Sequence, residues 1–169
     1  MKSQAKQTGS KQGARGFSLI ELLIVVAVIL TIAAIAIPNF MRSKMAAHEG
    51  AAVAACRKIT TAEIVYTTTY NVGFSPTLLS LGPPPAGGSV SASNAGLLDQ
   101  VIAAGTKHGY VFTYAAIDAN GDGNSESFTL NADPLNPGVT GQRHFFTDQS
   151  GVIRFNATAP AGAGDTPIS

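Results

Sequence analysis

Arg15-Gly16-Phe17-Ser18-Leu19-Ile20-Glu21-Leu22-Leu23 joins two stretches of opposite character. Upstream, Met1–Gly16 (MKSQAKQTGSKQGARG) carries Lys2, Lys6, Lys11 and Arg15 and no acid. Downstream, Leu19–Ile37 is an apolar run of nineteen residues whose lone charge is Glu21. As a helix that run is about 28 Å long, close to the ~30 Å hydrocarbon core of a bilayer. The basic residues before it outnumber Arg42 and Lys44 just after it, which keeps the N-terminus cytoplasmic and orients the rest of the chain outward.

Three readings fit such a segment. A secretory signal would be cut after a small-x-small site, and Ala34-Ile35-Ala36 would serve. An ordinary single-pass anchor needs no cut. The third reading is a segment cut between Gly16 and Phe17. Glu21 favours the third. A charged residue at the centre of a membrane helix costs about 2.5–3.5 kcal/mol on insertion scales, less near an end, and normally has a partner. A plain anchor has no use for it. Cleavage after Gly16 would create a fresh α-amino group on Phe17, one helical turn before Glu21. Its pKa of about 8 leaves it mostly protonated at neutral pH. In a bundle of helices it would meet Glu21 of its own chain or of a neighbour.

These residues carry a resemblance. The segment around Gly16 resembles the cleavage motif of type IV pilins and type II secretion pseudopilins: Gly before the cut, Phe after it, and Glu four residues on. Pro38 resembles the proline found partway along the first helix of that family. The resemblance implies that a prepilin peptidase cuts after Gly16 and N-methylates Phe17. It implies that Glu21 neutralises the amino group of an adjacent subunit during assembly. It also implies an inner-membrane assembly platform with its ATPase, and related pilins as filament partners. Many type IV pilins close their C-terminal region with a disulfide, whereas this chain has no cysteine after Cys56. That departure leaves a pseudopilin or a disulfide-free pilin.

Beyond the membrane segment, Ala52, Ala55, Cys56, Ile59, Ala62, Tyr66 and Tyr70 recur at three- and four-residue steps and make one apolar helix face. Arg42, Lys44, Glu49, Arg57 and Lys58 fall mostly elsewhere. Pro38 removes a backbone donor and kinks or locally opens the helix. Residues 17–70 thus read as one long helix, with 17–40 the membrane and assembly part. Alanines 27, 33, 34 and 36 permit close approach of like helices there. Cys56 cannot form an internal disulfide and reads as a small buried apolar residue.

Residues 71–107 read as a connecting region, with a turn-rich Leu81–Ser89 and a short helix within Ser93–Ala104 that turns Leu97, Leu98, Val101 and Ile102 inward. From His108 the pattern becomes β. Tyr110–Tyr114, Ser127–Leu130, His144–Thr147 and Val152–Phe155 are aromatic or β-branched, and Asp148-Gln149-Ser150-Gly151 makes the last two a hairpin. The expected fold class is α+β: a long N-terminal helix with a three- or four-stranded antiparallel sheet (108–156) packed on its C-terminal half, and a mobile tail over 157–169.

Asp118, Asn120 and Asp122 open the pattern D-x-N-x-D-G of a calcium loop, with Glu126 nearby. The bidentate Glu of that motif is replaced by Thr129, and Asn-Gly and Asp-Gly are plain turn formers. A solvated hairpin loop is the first reading and a calcium site the second. Some type II secretion pseudopilins, which the chain resembles, bind calcium in loops of this domain.

Other functions find little support. His48, His108 and His144 show no ligand or triad spacing, and no glycine loop with a following Lys joins a strand to a helix. From Phe17 onward seven basic and ten acidic residues leave a net charge of −3, with no basic stripe for nucleic acid. The chain therefore reads as a non-enzymatic subunit of a type IV pilus-like filament, assembled from copies of itself. It would be held first in the inner membrane by a single pass and then placed in an extracellular or periplasmic filament. A type II secretion pseudopilin is the alternative. An exported binding domain with an ordinary signal or anchor is the reading from another class.

Overall fold

The computed structural model describes residues 16–168, so the basic leader, apart from Gly16, lies outside the described residues. Helix α1 spans Leu19–Tyr70 and contains Pro38. The chain divides into two compact units with the boundary between Asn39 and Phe40.

In the first unit, α1 is apolar and almost wholly exposed from Leu19 onward, and it is long and apolar enough to cross a membrane. Its one hydroxyl, Thr31, donates back to the Ala27 carbonyl at 2.8 Å, so no unpaired polar side chain interrupts the apolar surface there.

The second unit is the head. Among the described residues its sheet has six antiparallel strands in sequence order: β1 (Thr106–Lys107), β2 (Tyr110–Ile117), β3 (Ser127–Pro134), β4 (His144–Asp148), β5 (Arg154–Asn156) and β6 (Thr166–Pro167). Along β3 alternate residues point inward, so Phe128, Leu130 and Ala132 are buried. They join Tyr110 and Phe145 in one core with Ala52, Cys56, Ile59 and Tyr66 of α1. Of the seven helix residues assigned to the apolar face, six are buried and Tyr70 is half-buried. The Cys56 thiol is fully buried, and burial pushes its pKa up to about 12, which makes it a packing residue rather than a nucleophile.

Helix α1 ends where Asn71 takes a positive φ of 53°, a conformation Asn tolerates better than most residues. Gly73 follows with φ 75°, packed so closely on Ser125 that a Cβ there would collide with the Ser125 backbone. The connection then makes a 3₁₀ turn at Leu78–Leu81, capped by Thr77, and a single helical turn, α2 (Gln100–Ala103), capped by Asp99.

Three expectations differ from the structure. The sheet is larger than three or four strands because β1 and β6 are two-residue edge pairings, too short to leave a periodic pattern. The expected helix within Ser93–Ala104 shrinks to α2, and Val101 faces solvent while Leu98 and Ile102 are buried. The C-terminal stretch expected as a mobile tail returns to the sheet. Asn131 Nδ2 donates to the Ala161 carbonyl at 2.8 Å, Arg154 Nη1 to the Asp165 carbonyl at 3.0 Å, and Ile168 N to the Ile153 carbonyl at 2.8 Å. These anchors are side-chain and edge bonds, which hydrophobic patterning does not register.

Candidate functional site

Gly16, Phe17 and Ser18 are non-helical and exposed immediately before α1, with Phe17 86% exposed. Among the described residues nothing lies within 4 Å of the place a Cβ would occupy on Gly16. Ser18 occupies the N-cap position. Leu22 N donates to the Ser18 carbonyl at 3.2 Å, and Glu21, three residues on, receives the Ser18 N–H on Oε2 at 2.8 Å. This is the reach-back half of a capping box, Ser-x-x-Glu. A carboxylate in the first turn also suits the positive end of the helix dipole. Glu21 therefore has two local reasons to be where it is, both independent of any cut.

Residues 11–37 match the family model described as the prokaryotic N-terminal methylation motif. The chain carries the type IV pilin and pseudopilin signature. The match covers the segment in which the structure places Gly16, Phe17, Glu21 and the apolar start of α1. Nothing matches the chain among curated proteins or among solved structures. The long apolar helix and the antiparallel sheet give an α+β, pilin-like architecture, and the signature supports a type IV pilin- or pseudopilin-like protein. The motif belongs to a family of structural subunits, and the apolar helix fits inner-membrane anchoring.

The second candidate in this pilin-like chain is the β2–β3 hairpin loop. Asp118, Asp122 and Glu126 are all exposed, and one carboxylate oxygen from each lies within 4.8 Å of the others. The loop's own groups already engage them. Asp118 accepts from Gly121 N at 2.6 Å and Gly123 N at 2.9 Å, Asp122 from Asn124 N at 2.8 Å, and Glu126 from Ala119 N at 2.7 Å. Asn120 Oδ1 accepts from Asp122 N at 2.9 Å, while Asn120 Nδ2 donates to Asp122 Oδ2 at 3.2 Å. The N–H groups of Gly123 and Gly121 lower the Asp118 pKa. The four residues read from the sequence are thus brought together, as a self-capped turn whose oxygens are largely committed to backbone donors.

The three histidines take up structural hydrogen bonds or turn positions. His48 is half-buried, and its Nδ1 bonds the His108 carbonyl. His108 itself holds φ 49° in the β1–β2 turn. His144 Nδ1 lies 2.6 Å from Asp133 Oδ1.

Two buried acids on α1 have roles that the sequence pattern does not reveal. Glu49 was read as lying off the apolar face, yet it is 8% exposed, and Glu63 is fully buried. Glu49 accepts from Gln142 N (2.8 Å), Arg143 N (3.2 Å) and Arg143 Nε (2.7 Å), tying the β3–β4 connection to α1. Burial alone would raise its pKa, but the Gln142 and Arg143 hydrogen bonds outweigh that and lower it. Spacing was the available signal: Glu49 and Glu63 stand three and four residues from Ala52 and Ile59, on the buried stripe.

Proposed function

We propose that the chain is a structural subunit of a type IV pilus-like filament, cut by a prepilin peptidase after Gly16, N-methylated on Phe17 and assembled through the first half of α1. The observation that carries this reading is the match of residues 11–37 to the N-terminal methylation motif at the start of an exposed apolar helix. In the membrane, lipid covers that helix. Outside it, each exposed Leu or Ile left in water forgoes about 1.5–3 kcal/mol of burial. Like helices from other copies are the natural cover. Glu21 then meets the Phe17 amino group of a neighbour, a pairing that makes subunit addition depend on prior cleavage.

On this reading the chain is not an enzyme. It passes the inner membrane once with its N-terminus cytoplasmic, and the platform and ATPase of the assembly machinery move it into the filament. The acidic loop Asp118–Glu126 serves as a self-capped hairpin, with calcium as its alternative occupant through Asp118, Asn120, Asp122 and Glu126. Pro38 acts as the flexible point of α1.

A pseudopilin of a type II secretion system is the second reading, favoured by the absence of any cysteine after Cys56. Electron microscopy of cells expressing the protein separates the two. Surface fibres labelled by antibody to the head support the pilus subunit. Label confined to the periplasm supports the pseudopilin. Soluble, unassembled protein in the medium would overturn both in favour of an exported binding domain.

A further inference from the structure

Glu63 lies on α1 beneath the start of the connecting segment and is 0% exposed. Tyr66 and Tyr70 share its helix, Ser75 and Thr77 face it from the connection, and Tyr114 faces it from β2, with Phe128 of β3 stacked on Tyr114. Among the described residues no Lys, Arg or His is paired with its carboxyl. A bare carboxylate buried without a cation is strongly disfavoured.

The hydrogen bonds say how the group is carried. Ser75 Oγ lies 2.6 Å from Glu63 Oε1, 3.1 Å from the Thr77 carbonyl and 3.4 Å from the Tyr114 hydroxyl. A serine hydroxyl has one proton to give. The Tyr114 proton is committed to the Ser75 carbonyl at 2.8 Å. With Glu63 ionised, Ser75 must spend its proton on the carboxylate, and the Thr77 carbonyl keeps only the Ser80 N–H, at 3.1 Å. With Glu63 protonated, the acid donates to Ser75 Oγ, and Ser75 donates on to Thr77. The second carboxyl oxygen, Oε2, still accepts Ser75 N at 2.9 Å. The neutral acid lets Ser75 bond Glu63 and the Thr77 carbonyl at once, and it spares a fully buried carboxyl with no paired cation from carrying a charge; 2.6 Å is an ordinary distance for a good O–H···O bond.

We propose that Glu63 is protonated in the folded head and acts as a proton-dependent latch, holding the segment after α1 against the sheet through Ser75. The latch reaches the acidic hairpin, because Phe74 N donates to the Ser125 carbonyl at 2.9 Å and Gly73 packs on Ser125. Removing the proton loosens residues 73–77 and, through Ser125, the Asp118–Glu126 loop.

Burial raises the Glu63 pKa, against the opposing hydrogen bonds from the Ser75 hydroxyl and the Ser75 N–H. A raised folded value means that this group's contribution to stability is greatest below the unfolded carboxylate pKa of about 4.3. It declines as pH climbs toward the folded value. Glu49, Asp99 and Asp118 are shifted the other way, so their gains are complete once pH exceeds the ordinary carboxylate range.

The test is thermal unfolding of the full chain in detergent between about pH 5 and pH 9, with infrared spectroscopy of the protonated-carboxyl C=O band. The Tm of the unaltered chain should fall across that range relative to that of Glu63→Gln, whose amide donates to Ser75 Oγ at every pH. A carboxyl band should be present at neutral pH, persist in Glu21→Gln and vanish in Glu63→Gln. A Glu63→Gln chain that is less stable than the parent at neutral pH, together with no Glu63-dependent band, would overturn the latch. If Glu63→Gln does not fold, the band in Glu21→Gln decides alone: its presence at neutral pH and loss on alkaline titration supports the latch, and its absence refutes it.

Discussion

Glu21 Oε2 accepts the Ser18 backbone N–H at 2.8 Å. The acid proposed to pair with a neighbour's amino group is therefore already used to start the helix on which it sits. After cleavage the same carboxylate faces a choice between Ser18 N–H and a charged amine one residue further upstream. The charge-assisted partner is the stronger, so on the proposed reading assembly draws on an acid that capping has kept oriented.

The two roles separate by substitution. Glu21→Gln keeps an acceptor for Ser18 but has no charge, whereas Glu21→Val removes both. Cleavage of both variants should proceed, read as loss of the leader on a gel. Neither should enter filaments efficiently, read by shearing and immunoblot. Normal assembly of Glu21→Gln would show that the charge is not what assembly uses.

Glu49 and Arg143 offer a test of how the head is tied together. Glu49→Ala strands the Gln142 and Arg143 N–H groups and leaves the guanidinium unpaired. A loss of about 2–3 kcal/mol is expected, from hydrogen bonds to a charged acceptor. The lowered Glu49 pKa fixes the pH sign. Its stabilisation is present above the unfolded carboxylate range and is lost as pH falls through the folded value. Denaturant unfolding at neutral and acid pH should show the Glu49→Ala deficit shrinking on acidification.

Thr147 is a point where the core is not optimal. Its hydroxyl is buried and, among the described residues, is the one buried side-chain oxygen or nitrogen without a hydrogen-bond partner. Thr147→Val keeps the β-branched shape on β4 and removes the unsatisfied group. Stability should rise by about 1 kcal/mol, measured as a shift of the denaturation midpoint with unchanged slope. A loss of stability would mean the hydroxyl is bonded.

For the hairpin loop, the self-capped geometry makes a definite forecast. Asp118→Ala removes the acceptor of Gly121 and Gly123, so the head's Tm should fall slightly, and neither added calcium nor chelator should move the Tm of the parent. A calcium-dependent rise in Tm that Asp122→Ala abolishes would establish the metal site instead.

How much of this was legible follows from where each signal lives. The start of α1 is written locally in Ser18 and Glu21, and the β4–β5 hairpin in Asp148–Gly151, whose Gly151 takes φ 73°. The apolar stripe from Ala52 to Tyr66 is periodic and so readable. Glu49 and Glu63 sit on that same stripe, but an acid at a buried position makes sense only once its donors are known, so Glu49 reads as lying off the apolar face and Glu63 leaves no signal of its own. Those donors, Gln142 with Arg143 and Ser75, lie 93, 94 and 12 residues away. Strands β1 and β6 are pairings of two residues each, held by neighbours rather than by their own pattern. The three acids of the hairpin loop were visible as a motif. Their capture by the loop's own N–H groups was not.

The most direct test of the account is the mass of the intact processed protein, with sequencing of its first residues. The account predicts a chain beginning at Phe17 with one added methyl group on its amino nitrogen. A chain that retains residues 1–16, or one that begins at Ile37, would contradict it.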